Sequence, residues 1–292
     1  MGDAKFGAFA NFIVLLAAAA SALEARPGSY RNRYKAVVRQ SIVKAPQMSS
    51  VTEDDLRHLP GIVQKYLRTA GAVGKPKASS VRIVFSGEFK SGLNGPAMPF
   101  WSEQINNFHP VMRTFLMRAT RYGLPMEGFH LFKDGRATMQ IKMASVFQVV
   151  EASGPEMDQS ETVTFFNDLC LFTPAALIDR DRIQWEEDGP LAVQATYTHL
   201  SKTIHARLQF NDAGEIMDFV SQDRFMSVDG KTYQNYPWST PVRAYAEING
   251  RRVPVEPRRF GTLQKAISPM AGSTLRISNT TLVFDGMPAD WQ

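Results

Sequence analysis

Residues Gly154 to Ile178 read GPEMDQSETVTFFNDLCLFTPAALI. Asp158 is placed to act as an N-cap, and Glu161, three positions on, is placed to close a capping box. Val163, Phe165, Phe166, Leu169, Cys170 and Phe172 then cover more than one face of the helix. A helix apolar over so much of its circumference is buried on most sides. Segments of strand character flank it on both sides. Together these features predict a mainly β, α+β fold: a strongly curved antiparallel sheet, a half-barrel wrapped around one central helix, with a helical N-terminal lead-in.

Working towards the N-terminus, strands are expected at 81–89, 99–108, 112–120, 128–133 and 136–150. Val81, Ile83 and Phe85 alternate with Arg82, Val84 and Ser86. Lys133-Asp134-Gly135 marks a hairpin. Upstream, Thr52 caps a helix with Asp54 and Asp55 in its first turn, and Pro60 opens another. Ile62, Val63, Tyr66 and Leu67 form that second stripe, which Gly71 ends. This helical pair is expected to lie across one end of the sheet. Towards the C-terminus, strands are expected at 183–187, 191–197, 204–210, 217–226, 242–248, 252–257 and 274–284. No βαβ alternation, repeat or Gly-rich phosphate loop occurs, which argues against most nucleotide-binding architectures.

Phe6 to Leu23 carries no charged residue. At 18 positions it is near the lower length limit for a spanning helix, and Ala17 to Ala22 supplies small residues of the kind cut by signal peptidase. Three readings stand open: a membrane anchor, a cleaved signal, and a buried or peripheral helix. Arg26, Arg31, Arg33 and Lys35 follow it, and that basic side is placed in the cytoplasm by the positive-inside rule. The expected organisation is residues 1–28 as a hydrophobic signal or anchor segment, 29–50 as a linker, and 51–292 as a single half-barrel domain. Localisation is expected to be membrane-anchored, periplasmic or secreted.

The chain has 292 residues and a formal charge of +5. A fold of that size buries roughly 75% of its unfolded surface and needs no disulfide. The single cysteine, Cys170, reads as a small core residue. The densest basic cluster is Arg251, Arg252, Arg258 and Arg259, split by two prolines. Nothing resembles a nucleic-acid module.

Four stretches resemble an uncharacterised bacterial family, a domain of unknown function. They are LPGIVQKYLRTAGAVGKPKASSVR with MPFWSEQ, then the 154–178 stretch, then RFMSVDGKTYQNYPWSTPVRAYAEINGRRVP. They span residues 59 to 254. Ser160, where glycine is expected, and Leu171-Phe172, where an aromatic pair beginning with tryptophan is usual, depart from the pattern. The resemblance implies the half-barrel of lipoprotein carriers and lipid-binding lipoproteins of the LolA and LppX kind, with an apolar cavity beside the inner helix. One small cofactor-free biosynthetic enzyme shares that architecture, so the resemblance admits two classes of function.

Candidate chemistry follows from these positions. Glu156 follows Pro155 at the mouth of the helix, and burial there would raise its pKa and suit it to general base work. Glu103 and Gln104 lie on opposite faces of one strand, so only one faces inward. Arg224 in SQDRF is the expected partner of an inward Glu103. Phe166, Trp238 and Tyr245, with Gln104, are candidate ligand-binding residues. Met112, Met117, Met126, Met139 and Met143 supply adaptable apolar surface. His58, His109, His130, His199 and His205 show no zinc-protease spacing, although His199 and His205 could approach across a hairpin. No Gly-x-Ser-x-Gly elbow is present. The expected function is binding or carriage of a hydrophobic small molecule or lipid at the cell envelope, without cofactor or metal, with the membrane met through the N-terminal segment. The alternative is a cofactor-independent enzyme, of lyase or isomerase type, acting on an apolar or aromatic small molecule in the same cavity.

Overall fold

A computed structural model describes residues 26–41, 49–90, 97–121, 123–227, 230–248, 250–255, 263–265 and 274–284. The hydrophobic segment and the Arg258–Arg259 pair lie outside them. Among the described residues no helix is long and apolar enough to cross a membrane. In chain order the elements are α1 (Tyr30–Ser41), α2 (Glu53–Leu56), α3 (Gly61–Thr69), β1 (Ser80–Lys90), β2 (Ala97–Phe108), β3 (Val111–Arg121), β4 (Leu124–Lys133), β5 (Arg136–Met143), β6 (Phe147–Ser153) and α4 (Pro155–Phe172). A 3-10 turn, Pro174–Ile178, follows. Then come β7 (Ile183–Glu187), β8 (Ala192–His199), β9 (Lys202–Phe210), β10 (Ile216–Ser221), β11 (Phe225–Met226), β12 (Gln234–Asn235), β13 (Trp238–Ser239), β14 (Tyr245–Ile248), β15 (Arg251–Pro254), β16 (Leu263–Lys265) and β17 (Thr274–Phe284).

The fold is mainly β, with a large curved antiparallel sheet that does not close into a barrel. That sheet has eight strands in the order β16-β17-β1-β2-β3-β4-β5-β6, and a second sheet has the order β13-β10-β9-β8-β7. Helix α4 lies between them, and every residue from Ser160 to Phe172 is buried. Phe165 meets Phe108 and Phe132 of the first sheet. Phe166 turns to the second, stacked on Tyr197 with ring centroids 4.8 Å apart and edge-on to Phe219. Successive side chains on a helix point about 100° apart, so one apolar run serves both sheets. Helix α3 closes over the same core through Val63, Tyr66 and Leu67, and the Tyr66 hydroxyl donates to the Cys170 carbonyl oxygen. Cys170 is a buried free thiol.

Four sequence expectations change. The central helix starts at Pro155, not after Asp158, with Gly154 at φ 114° as N-cap. Proline pre-sets the φ of a first helical residue and lacks an N–H that would go unpaired there. Asp158 instead accepts a 2.7 Å hydrogen bond from the Ala137 backbone, tying the first turn of α4 to β5. The 136–150 strand is two strands, because Ala144 and Ser145 take left-handed φ values of 52° and 56°. The strand expected at 217–226 ends at Ser221 and resumes only as the short β11. The stretch expected as a 29–50 linker contains α1. Tyr30, Tyr34 and Val38 recur every four residues on it and pack with Ile105, Leu116 and Phe129 on the outer face of the first sheet.

Candidate functional site

Helix α4 crosses β2, β3 and β4 on their inner face, and two carboxylates on its underside enter that contact. Glu161 and Asp168 are seven residues apart, two turns on one helix face. Both are buried. Arg113, midway between them on β3, answers both. Its Nη1 donates to Glu161 at 2.8 Å, its Nε to Asp168 at 3.0 Å and its Nη2 to Gln104 Oε1 at 2.9 Å. The Gln104 amide donates back to Asp168 at 2.8 Å, and the Asn106 amide does so at 3.2 Å. His130 Nε2 stands 3.1 Å from the second Glu161 oxygen. Burial pushes the Glu161 carboxyl up, but the positive charge of Arg113, with His130 beside it, outweighs this and holds its pKa down to about 2.

Above the helix lies a second cation. Ser160 Oγ accepts from the Phe225 amide and donates to the Phe225 carbonyl, both at 2.9 Å, so this face of α4 meets the segment that carries Arg224. The Arg224 guanidinium lies 4.0 Å over the Trp238 ring. No carboxylate is within ion-pair distance of it among the described residues, and its buried Nε lacks a hydrogen-bond partner. Burial lowers its pKa to about 10, with Glu161 opposing and Arg113 adding to that fall. The residue is only half-buried, so it is shielded at its neck while its tip reaches accessible space. Trp238 Nε1, Thr240 Oγ1, Ser102 Oγ and both polar atoms of Asn167 are also buried without partners. Asn167 stands seven residues after Ser160, hence on the same side of α4.

Past Arg113 and His130, the inner face of β3, β4 and β5 becomes largely apolar. The rows run Phe115–His130–Met139, then Met117–Gly128–Ile141, then Ala119–Met126–Met143. Met117, Met139 and Ile141 are half-buried and converge over Gly128. A methyl group there would meet Met139 Cε at 3.4 Å, Met117 Cβ at 3.8 Å and Ile141 Cγ1 at 3.9 Å. A charged cluster thus adjoins a methionine-lined floor.

The sequence candidates distribute unevenly over this site. Gln104 faces inward and belongs to the cluster. Glu103 faces outward, beneath α1, and pairs with Arg82 at 2.7 Å, so the expected Glu103–Arg224 pair does not form. Burial, then the Glu103 charge, push the Tyr34 phenol there well above its usual pKa. Glu156 is half-exposed in the first turn of α4 rather than buried in a cavity. Trp238 holds Arg224. Phe166 is core, and Tyr245 is wedged against the second sheet with its hydroxyl donating to the Ile216 carbonyl at 2.8 Å. Met112 faces outward, opposite Lys133. His199 and His205 pair with Lys202 and Thr196 and fall on opposite faces of β8–β9. Among the described residues no three His, Cys, Asp or Glu side chains converge to hold a metal ion. Sequence reading assigned Glu161 to a cap, passed over Arg113 and Asp168, and weighed His130 only against metal-ligand spacing. The available signal was two carboxylates seven apart on one face of an otherwise apolar helix, which demands a buried cation.

Fold and site together define a mainly β protein whose buried central helix carries charge on its sheet-facing side. The chain belongs to a family of unknown function, DUF6544, whose model matches residues 49–259. No curated protein matches it.

Proposed function

We propose that the protein binds or carries an amphipathic hydrophobic molecule, a lipid or similar small compound bearing an acidic group, at the cell envelope. The observation that carries this reading is Arg224: a half-buried guanidinium on an indole face, with no carboxylate within ion-pair distance among the described residues. A partly shielded charge without a direct partner is costly, and an anionic ligand supplies the partner. The methionine-lined floor over Gly128 offers the apolar part of such a ligand a surface that adapts to shape. The uncharged run from Phe6 to Leu23 supports the envelope setting.

A cofactor-independent enzyme in the same space is the second reading, favoured by the convergence of Arg113, Glu161, Asp168, His130 and Arg224. Glu161, the best-placed carboxylate, is a weak base at a pKa of about 2, so carriage is preferred. The test is binding of a pyrene-labelled fatty acid to the detergent-solubilised full chain, followed by energy transfer from its four tryptophans to pyrene. Arg224→Gln is expected to weaken binding about tenfold or more, the worth of a charge-assisted hydrogen bond. Gly128→Leu is expected to weaken it by filling the floor. Binding unchanged in both variants, with unchanged melting, would sink the proposal.

A further inference from the structure

Eight large apolar side chains are well exposed among the described residues, and four of them share one place. Leu124 begins β4, while Val146, Phe147 and Val149 form the β5–β6 turn and the start of β6. They are 47%, 54%, 68% and 49% exposed. The two hairpin tips touch, since the Ala144 amide donates to the Pro125 carbonyl at 2.7 Å. The other four, Leu191, Leu200, Met217 and Val283, are spread over separate elements. Scattered apolar residues are ordinary, whereas a contiguous exposed group marks an interaction surface.

What covers this tip is indicated by its surroundings. Helix α1 begins there: Lys142, two residues before the β5–β6 turn, sits with its ammonium 4.5 Å over the Tyr30 ring, and Arg33 bonds Gln140. The helix ends at the other end of the sheet, where Asn107 bonds the Ser41 carbonyl. The described chain therefore enters at the tip end, directly after the uncharged run from Phe6 to Leu23. Arg121 ends β3 opposite Leu124, Lys142 and Arg33 lie where α1 meets β5, and Arg26 and Arg31 flank the start of α1 in the chain. Exposed apolar side chains with cations beside them suit the interface of an anionic bilayer.

We propose that the β3–β4 and β5–β6 hairpin tips dock into the headgroup region of an anionic lipid bilayer, independently of any ligand in the interior. The test uses the full chain reconstituted into vesicles of phosphatidylcholine with a minor fraction of phosphatidylglycerol. Val146→Cys carries an environment-sensitive nitrobenzoxadiazole label, Cys170 being buried. Leu200→Cys is the control, since Leu200 is 65% exposed at the opposite end, against Gly135. The label at 146 is expected to be quenched several-fold by doxyl-labelled lipid and protected from aqueous iodide, with the reverse at 200. Both labels quenched alike by iodide and neither by doxyl lipid would overturn the proposal, showing a tip that stands in water. Equal lipid quenching in phosphatidylcholine alone, or in Lys142→Glu with Arg121→Glu, would overturn its anionic specificity. Both label sites are exposed, so an unchanged urea midpoint confirms that folding is intact.

Discussion

Replacing Arg113 by methionine isolates what the buried cluster contributes. The substitution keeps length and apolar bulk but removes the donor shared by Glu161, Asp168 and Gln104. Both buried carboxylates then lose the cation that bonds them directly, and Glu161 keeps His130 beside it and the more distant charge of Arg224. Breaking a buried pair in this way costs about 3–5 kcal/mol. The structure gives an independent figure. Lowering the Glu161 pKa from 4.5 to about 2 corresponds to about 3 kcal/mol in favour of the folded carboxylate. In the wild type that contribution is complete above the unfolded pKa and is lost as pH falls from about 4.5 towards 2. In the variant the sign reverses. Burial now dominates, the Glu161 pKa rises, and the cost of its charge grows as pH climbs above the unfolded value. The stability gap is therefore widest at neutral pH and narrows in acid. Urea unfolding followed by far-ultraviolet circular dichroism across that range measures it. A loss under about 1 kcal/mol at neutral pH, or a gap indifferent to pH, would refute the electrostatic account.

Other perturbations probe separate parts of the fold. Tyr34→Ala removes a fully buried ring of α1 and is expected to cost about 3 kcal/mol in urea unfolding, as other aromatic truncations do. A negligible change would mean that α1 is not integral to the domain. Gly230→Val forces a branched residue to φ 73° with its Cβ driven into the Glu151 carbonyl oxygen, and is expected to detach this loop from β6, raising tryptic cleavage at Lys231. Cys170 is buried and its thiol pKa is pushed well above the ordinary value, chiefly by that burial. Modification by an aromatic disulfide reagent is expected to proceed only at the rate of unfolding, and rapid reaction in native buffer would show an open core.

The sheet was largely legible from sequence because alternation is a local signal. Val81, Ile83 and Phe85 announce β1 without knowledge of its partners. The central helix was legible for the same reason, as a dense apolar run. The site was not, because its members are joined by topology. Arg113 lies 48 and 55 positions from Glu161 and Asp168, and only strand pairing brings β3 under α4. In isolation Glu161 resembles a cap, and Arg113 one more charge on an alternating strand. Helix α1 was obscured by its basic residues, which dilute the four-residue spacing of Tyr30, Tyr34 and Val38. Arg224 was singled out, but with the wrong partner: Glu103 differs from Gln104 by one residue, and one residue on a strand reverses the face.

The pairing of β1 with β17 has a consequence for how the chain is made. Val81 lies opposite Phe284 and Lys90 opposite Thr274, so β1 waits for a strand that leaves the ribosome much later. Until then the backbone edge of β1 is open to any extended chain nearby. Contacts this distant in sequence also form slowly. The interval between emergence of β1 and arrival of β17 is therefore the stage at which a nascent chain most needs a chaperone. A product truncated before Thr274 would keep that edge open for good and is expected to accumulate as aggregate, even with the charged cluster around α4 intact.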